Sequence, residues 1–124
     1  MSKKILLVDD SQTVLMMERM ILAPERFQIV TASNGQEACE RARLEKPDLV
    51  LMDIVMPVMN GLDACKAMRA DPITRSIPII LVTTRGETDN MERGYENGCN
   101  DYVTKPVNSA ELLSKVRNIL GVAP

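Results

Sequence analysis

At 124 residues the chain is sized for one domain and can bury a core without disulfide or metal staples. With 45% hydrophobic and 26% charged residues it reads as a soluble globular protein, and a net charge of −2 without histidine excludes a basic nucleic-acid footprint. No stretch nears the roughly 20 apolar residues of a membrane span, and Lys3-Lys4 precede too short an apolar run for a signal sequence, so a cytoplasmic location without membrane insertion is expected.

The first expected strand is Lys4–Val8, apolar and β-branched enough for a sheet interior, and it ends on Asp9-Asp10. A helix follows with Asp10 or Ser11 as N-cap. Val14, Met17, Ile21 and Leu22 recur at helical spacing and predict its buried face. Pro24 cannot continue that helix and closes it after Ala23. Phe27–Ala32 alternates somewhat, which suits a strand nearer the sheet edge. Asn34 with Glu37 has capping-box spacing for a second helix, which carries Glu37 and Arg41 as an i, i+4 pair and stops before Pro47.

Leu49-Val50-Leu51-Met52 leaves no room for a polar face, the pattern of a central parallel strand covered on both sides. It delivers Asp53, which is either a turn residue or a reactive group at the mouth of a sheet. Asn60-Gly61 marks a turn, Leu62, Cys65 and Met68 give a third helix its apolar face, and Asp71-Pro72 ends it. Ile77–Val82 is a second fully apolar strand, finishing at Thr83-Thr84. The fourth helix, Thr88–Asn97, is the weakest: it contains Gly94 and only Met91 and Tyr95 as large apolar residues, before a left-handed cap at Gly98. Asp101–Thr104 is a short last strand that delivers Lys105-Pro106. Asn108 with Glu111 caps a fifth helix lined by Leu112, Val116, Ile119 and Leu120, up to Gly121. Cys39, Cys65 and Cys99 lack metal-ligand spacing and read as free, mostly buried thiols; the nine methionines read as helix-facing gap fillers rather than a binding surface.

Strands alternating with helices predict an α/β fold. The expected architecture is a flavodoxin-like, doubly wound, five-stranded parallel sheet of order 2-1-3-4-5, with five helices on its two faces. In that topology Asp9, Asp10, Asp53, Thr83 and Lys105 all fall at the C-terminal strand edge, where ligands bind. Singly, each has a plain explanation: Asp10 as a helix cap, Asp53 as a turn opener, Thr83 bonded to nearby backbone, Lys105 solvated. Convergence of four strands on one crevice favours a joint role. Three packed carboxylates repel one another unless a cation joins them, and Mg²⁺ suits two carboxylates, a backbone carbonyl and water. Three acids at −3, Lys105 at +1 and the metal at +2 sum to zero. Such a site accepts a transferring phosphoryl group, with the metal and lysine on its oxygens, the threonine hydroxyl bonded to one of them, and Asp53 as in-line nucleophile.

The chain resembles the response-regulator receiver domains of two-component and chemotaxis systems over its whole length, as one domain spanning 1–124. The resemblance rests on Asp9-Asp10, Asp53 with Met56-Pro57 and Gly61, Thr83, and Tyr102 three residues before Lys105-Pro106. It implies that Asp53 is the phosphoacceptor for a histidine kinase, a phosphotransfer protein or a small phosphodonor. It implies that Asp10, Asp53 and the Val55 carbonyl hold Mg²⁺, with Asp9 acting through water. It further implies that Lys105 pairs with the phosphoryl group, that the Lys105-Pro106 bond is cis, and that Thr83 and Tyr102 form the switch. A downstream protein is then expected on the face made by helix four, strand five and helix five. Val55 and Arg85 depart from the best-known chemotaxis member, where an amide and an acid stand, so these two positions are expected to tune the lifetime of the phosphorylated state.

Three rival readings compete. An aspartyl-phosphate phosphatase needs an acid two residues after the nucleophile, where this chain has Val55. A flavin-binding protein needs a phosphate-cradling loop after strand one, where Asp9-Asp10 stand instead. A pseudo-receiver acting only as a protein-interaction module is the alternative, and the full set of five active-site residues argues against it.

Overall fold

Side chains alternate along a strand, so each buried strand of a sheet with two covered faces feeds two cores. The computed structural model, which describes residues 2–84 and 88–122, has this arrangement. Five strands, β1 (Lys4–Val8), β2 (Gln28–Ala32), β3 (Leu49–Asp53), β4 (Ile79–Thr84) and β5 (Asp101–Lys105), pair in parallel in the order β2-β1-β3-β4-β5. The helices between and after them are α1 (Gln12–Leu22), α2 (Gly35–Glu45), α3 (Gly61–Ala70), α4 (Thr88–Glu96) and α5 (Ser109–Leu120). Ile5, Leu7, Leu49, Leu51, Ile80 and Val82 point to one face, under α1 and α5. Leu6, Val8, Val50, Met52, Ile79 and Leu81 point to the other, under α2 and α3. The fold is the flavodoxin-like one expected.

Helix starts follow local chemistry. The side chains of Ser11, Asn34, Asn60 and Asn108 each accept the backbone N–H three residues on, satisfying a donor that the first helical turn leaves free. Asn60 therefore opens α3 directly rather than standing in a separate turn. Glu37 does not close a capping box; its carboxylate accepts from the Ser33 hydroxyl at 3.1 Å. Arg41 pairs with Glu45 at 3.9 Å instead of with Glu37. The left-handed caps fall at Lys46 and Gly121, and Gly98 has the positive φ of 100° expected after α4.

Two readings of α1 and the methionines are corrected. The buried residues of α1 are Leu15, Glu18 and Leu22; of the stripe expected, Leu22 is buried, Val14 and Ile21 are half-buried, and Met17 is 51% exposed. Met16 and Met20 are exposed beside it, so the methionines of α1 are surface residues rather than gap fillers. β4 begins at Ile79, after Pro78, and runs through Thr84, while β5 runs one residue further to Lys105. Cys39, Cys65 and Cys99 are free thiols, the last two buried. Among the described residues no helix is long and apolar enough to cross a membrane.

Candidate phosphoryl-transfer site

Strand register brings the polar ends together. Val8 pairs with Met52, so Asp9 leaves β1 alongside Asp53 at the end of β3. Asp53 pairs in turn with Val82, which puts Thr83 one step beyond it on β4, and Thr84 pairs with Lys105 on β5. The expected group therefore converges at the carboxyl ends of four strands.

Asp53 is buried, with Oδ1 accepting its neighbour Ile54 N–H at 2.9 Å and Oδ2 accepting from the Lys105 ammonium at 3.1 Å. Lys105 also lies 3.7 Å from Asp9 Oδ2. Asp9 is buried too; its Oδ1 accepts the Ser11 N–H at 2.9 Å, while Oδ2 has no hydrogen-bond partner among the described residues. Asp10 is exposed, yet one carboxylate oxygen from each of Asp9, Asp10 and Asp53 lies within 4.8 Å of the other two. Burial, together with the charges of Asp53 and Asp10, raises the Asp9 pKa above its ordinary value, against the Ser11 N–H and Lys105, which lower it. Burial alone works against the Lys105 ammonium, but the hydrogen bond and charge of Asp53, with Asp9 and Glu18, outweigh it and raise its pKa.

Gly61 is required by close approach. It donates to the Ile54 carbonyl at 2.8 Å, and a Cβ on it would stand 2.2 Å from the Asp53 carbonyl oxygen, so only glycine lets α3 begin against the end of β3. Val55 projects from this loop with its side chain 67% exposed. Arg85, expected to act with it, lies outside the described residues. The Lys105-Pro106 peptide is cis.

Thr83 is buried, and its hydroxyl has no hydrogen-bond partner among the described residues. Tyr102 is half-buried. Its ring packs edge-on to Tyr95 with centroids 6.0 Å apart, and the Lys115 ammonium lies 4.8 Å from its centroid. Lys115 also donates to the Tyr102 carbonyl and, at 3.2 Å, to Asp101 Oδ1. Tyr102 thus faces α4 and α5, not the carboxylates.

Residues 5–117 match the response regulator receiver domain. The chain belongs to the receiver family of two-component and chemotaxis response regulators. Phosphorylation-based switching is the general function of that family, whose members work with histidine kinases and downstream effectors. Over 94% of its length the chain is 41% identical to protein PilH of Pseudomonas aeruginosa, covering 97% of that protein. Over 97% of its length it is 36% identical to the alkaline phosphatase synthesis transcriptional regulatory protein PhoP of Bacillus subtilis, of which it spans only 49%. The receiver domain of a Pseudomonas aeruginosa sensor histidine kinase, crystallised with a magnesium ion coordinated in its active-site cleft, superposes with a TM-score of 0.89 at 29% identity over 98% of this chain and 99% of that one.

Glu18 escaped the sequence reading. It is 2% exposed and its Oε1 has no hydrogen-bond partner among the described residues. The signal was its place three residues after Leu15 and four before Leu22, a helical stripe with an acid in it.

Proposed function

We propose that this chain is a phosphorylation-activated switch, a single receiver unit over 1–124 that accepts a phosphoryl group on Asp53 from a histidine kinase, a phosphotransfer protein or a small phosphodonor. The observation that carries this reading is the Lys105 ammonium held 3.1 Å from a buried Asp53 oxygen, beside two further carboxylates with an oxygen each inside 4.8 Å. The donor set suits a hard divalent cation: all oxygen, partly buried, with Asp9 Oδ2 left without a hydrogen bond among the described residues. Asp10, Asp53 and the Val55 carbonyl would hold Mg²⁺, with Asp9 through water. When bound, Mg²⁺ supplies positive charge that neutralises the phosphoryl oxygens.

In the transfer, an Asp53 oxygen attacks the phosphorus in line. The new O–P bond forms as the N–P bond to the donor histidine breaks, and its electron pair leaves with the imidazole. Lys105 follows the phosphoryl oxygens. The buried Thr83 hydroxyl, without a hydrogen-bond partner among the described residues, turns to one of them, and the Tyr102 ring leaves Lys115 and Tyr95 for the space behind Thr83. That movement alters the face built by α4, β5 and α5, where a downstream protein docks. A cytoplasmic setting, with no nucleic acid bound directly, accords with this role. Incubation with acetyl phosphate tests the reading: one phosphoryl group should add in the presence of Mg²⁺ and none in its absence. A chain that never accepts a phosphoryl group under these conditions is a protein-interaction module instead.

A further inference from the structure

Glu18 is a buried acid for which the phosphoryl chemistry above has no use. Glu18 lines a cavity of ≈ 200 Å³ together with Lys105, walled by Met17 and Ile21 of α1 and by Pro106 and Val107 beyond β5. A carboxylate in such apolar surroundings, with no hydrogen-bond partner for Oε1 among the described residues, is costly, so it keeps its proton. Burial first, then the charges of Asp9 and Asp53, push the Glu18 pKa up to about 8, against a lowering by Lys105. Lys105 thus stands between two acidic ends. On one side are Asp53 and Asp9, at 3.1 and 3.7 Å; on the other is Glu18, which lines the same cavity and whose buried Oε1 has no hydrogen-bond partner among the described residues.

We propose that Glu18 is a positioning residue for Lys105, a second seat to which the ammonium swings when a divalent cation occupies the cluster of Asp9, Asp10 and Asp53. The inference rests on the metal role proposed above for that cluster. A doubly charged ion on the carboxylates repels an ammonium that stands about 3 Å from the same oxygens, and the four-carbon stem of lysine lets it move. As the ammonium arrives, the Glu18 O–H bond breaks, its proton passes to the buffer, and the carboxylate pairs with Lys105. The charged groups that act on Glu18 are Asp9 just beyond β1, Asp53 at the end of β3 and Lys105 at the end of β5. The metal neutralises the first two, so the same event that frees the lysine makes ionisation of Glu18 easier. The seat keeps Lys105 within reach of a phosphoryl group that arrives later.

Calorimetric titration with Mg²⁺ at pH 7, in two buffers of different ionisation enthalpy, counts the protons released. Wild type should release about one proton more per Mg²⁺ than Glu18→Gln, and Lys105→Met should lose the same release. Any proton from Asp9 persists in Glu18→Gln and is subtracted. Carbon NMR of labelled glutamate carboxyls gives a second reading on the wild-type chain: the Glu18 signal should move from its protonated to its ionised position at Mg²⁺ saturation. Equal release from wild type and Glu18→Gln, unchanged release from Lys105→Met, or a Glu18 signal still protonated with Mg²⁺ bound overturns the proposal alone. Failure of Mg²⁺ to bind at all overturns both it and the metal role on which it rests.

Discussion

The Lys105 ammonium meets Asp53 Oδ2 at 3.1 Å although 52 positions separate the two residues in sequence. A cation so placed competes with any other for the same oxygens. Lys105→Met should therefore tighten Mg²⁺ binding while lowering the metal-free melting temperature, because Asp9 and Asp53 then face each other without a counter-charge. The lysine side chain is one-third exposed, so the stability loss should be modest, about 1 kcal/mol. Calorimetry and thermal melts in chelator check both. A Mg²⁺ affinity that stays the same or falls would count against the competition.

Glu18 sets a pH dependence whose sign can be worked out. In the unfolded chain its carboxyl ionises with the ordinary value of 4.5, and in the fold at about 8. Between these values the folded state holds a proton that the unfolded state has lost, so stability falls as pH rises through this window. Glu18→Leu removes the proton and fits the neighbouring Leu15 and Leu22. Its advantage over wild type should be small near pH 5 and reach on the order of 3 kcal/mol near pH 7. Urea denaturation across that range measures it, and an advantage independent of pH would contradict the assignment.

Val58 carries a φ of 69° in the β3–α3 loop, a left-handed conformation that branching at Cβ disfavours. The Met59 N–H donates to the Pro57 carbonyl at 2.7 Å and closes a tight turn around it. The side chain is 76% exposed and contributes little packing in return. Val58→Gly should raise stability by roughly 0.5–1 kcal/mol, the relieved strain less the extra entropy of an unfolded glycine. The shift in urea midpoint reports it, and a destabilised variant would show that the turn is not strained.

Much of this architecture is written in local chemistry. The apolar run ending at Asp53, the asparagine caps at 34 and 108, and the proline after Asp71 all act within a few residues, and the fold uses them as read. The convergence of Asp9, Asp53, Thr83 and Lys105 was legible too, because a parallel sheet delivers every strand end to one edge. The rotation of α1 was not. Its run from Val14 to Leu22 offers apolar residues on more than one face, and only the docking of the helix on β1 and β3 decides that Leu15 and Glu18 turn inward while Met17 does not. Burial of an acid is a tertiary outcome that periodicity alone assigns to the surface. Pairings such as Arg41 with Glu45 rather than Glu37 depend on rotamers that sequence spacing leaves open.

Val55 and Arg85 should govern how long the aspartyl phosphate lasts. Hydrolysis needs a water aligned with the O–P bond and held by a polar group. Val55 is apolar and Arg85 has no acceptor, so neither orients that water as a base. Val55→Asn with Arg85→Glu should release phosphate about tenfold faster, ~1.4 kcal/mol in the barrier. Single-turnover release from the purified phosphoprotein decides it, and a rate equal to or slower than wild type removes these two positions from the account.

The central claim is that Asp53 takes the phosphoryl group. Intact mass after incubation with acetyl phosphate and Mg²⁺, compared between wild type and Asp53→Asn, tests it most directly. The wild-type chain should gain one phosphoryl group, lose it in alkali or hydroxylamine as an acyl phosphate does, and Asp53→Asn should gain none. A modification that forms equally in Asp53→Asn, or that survives alkali, would place the chemistry elsewhere.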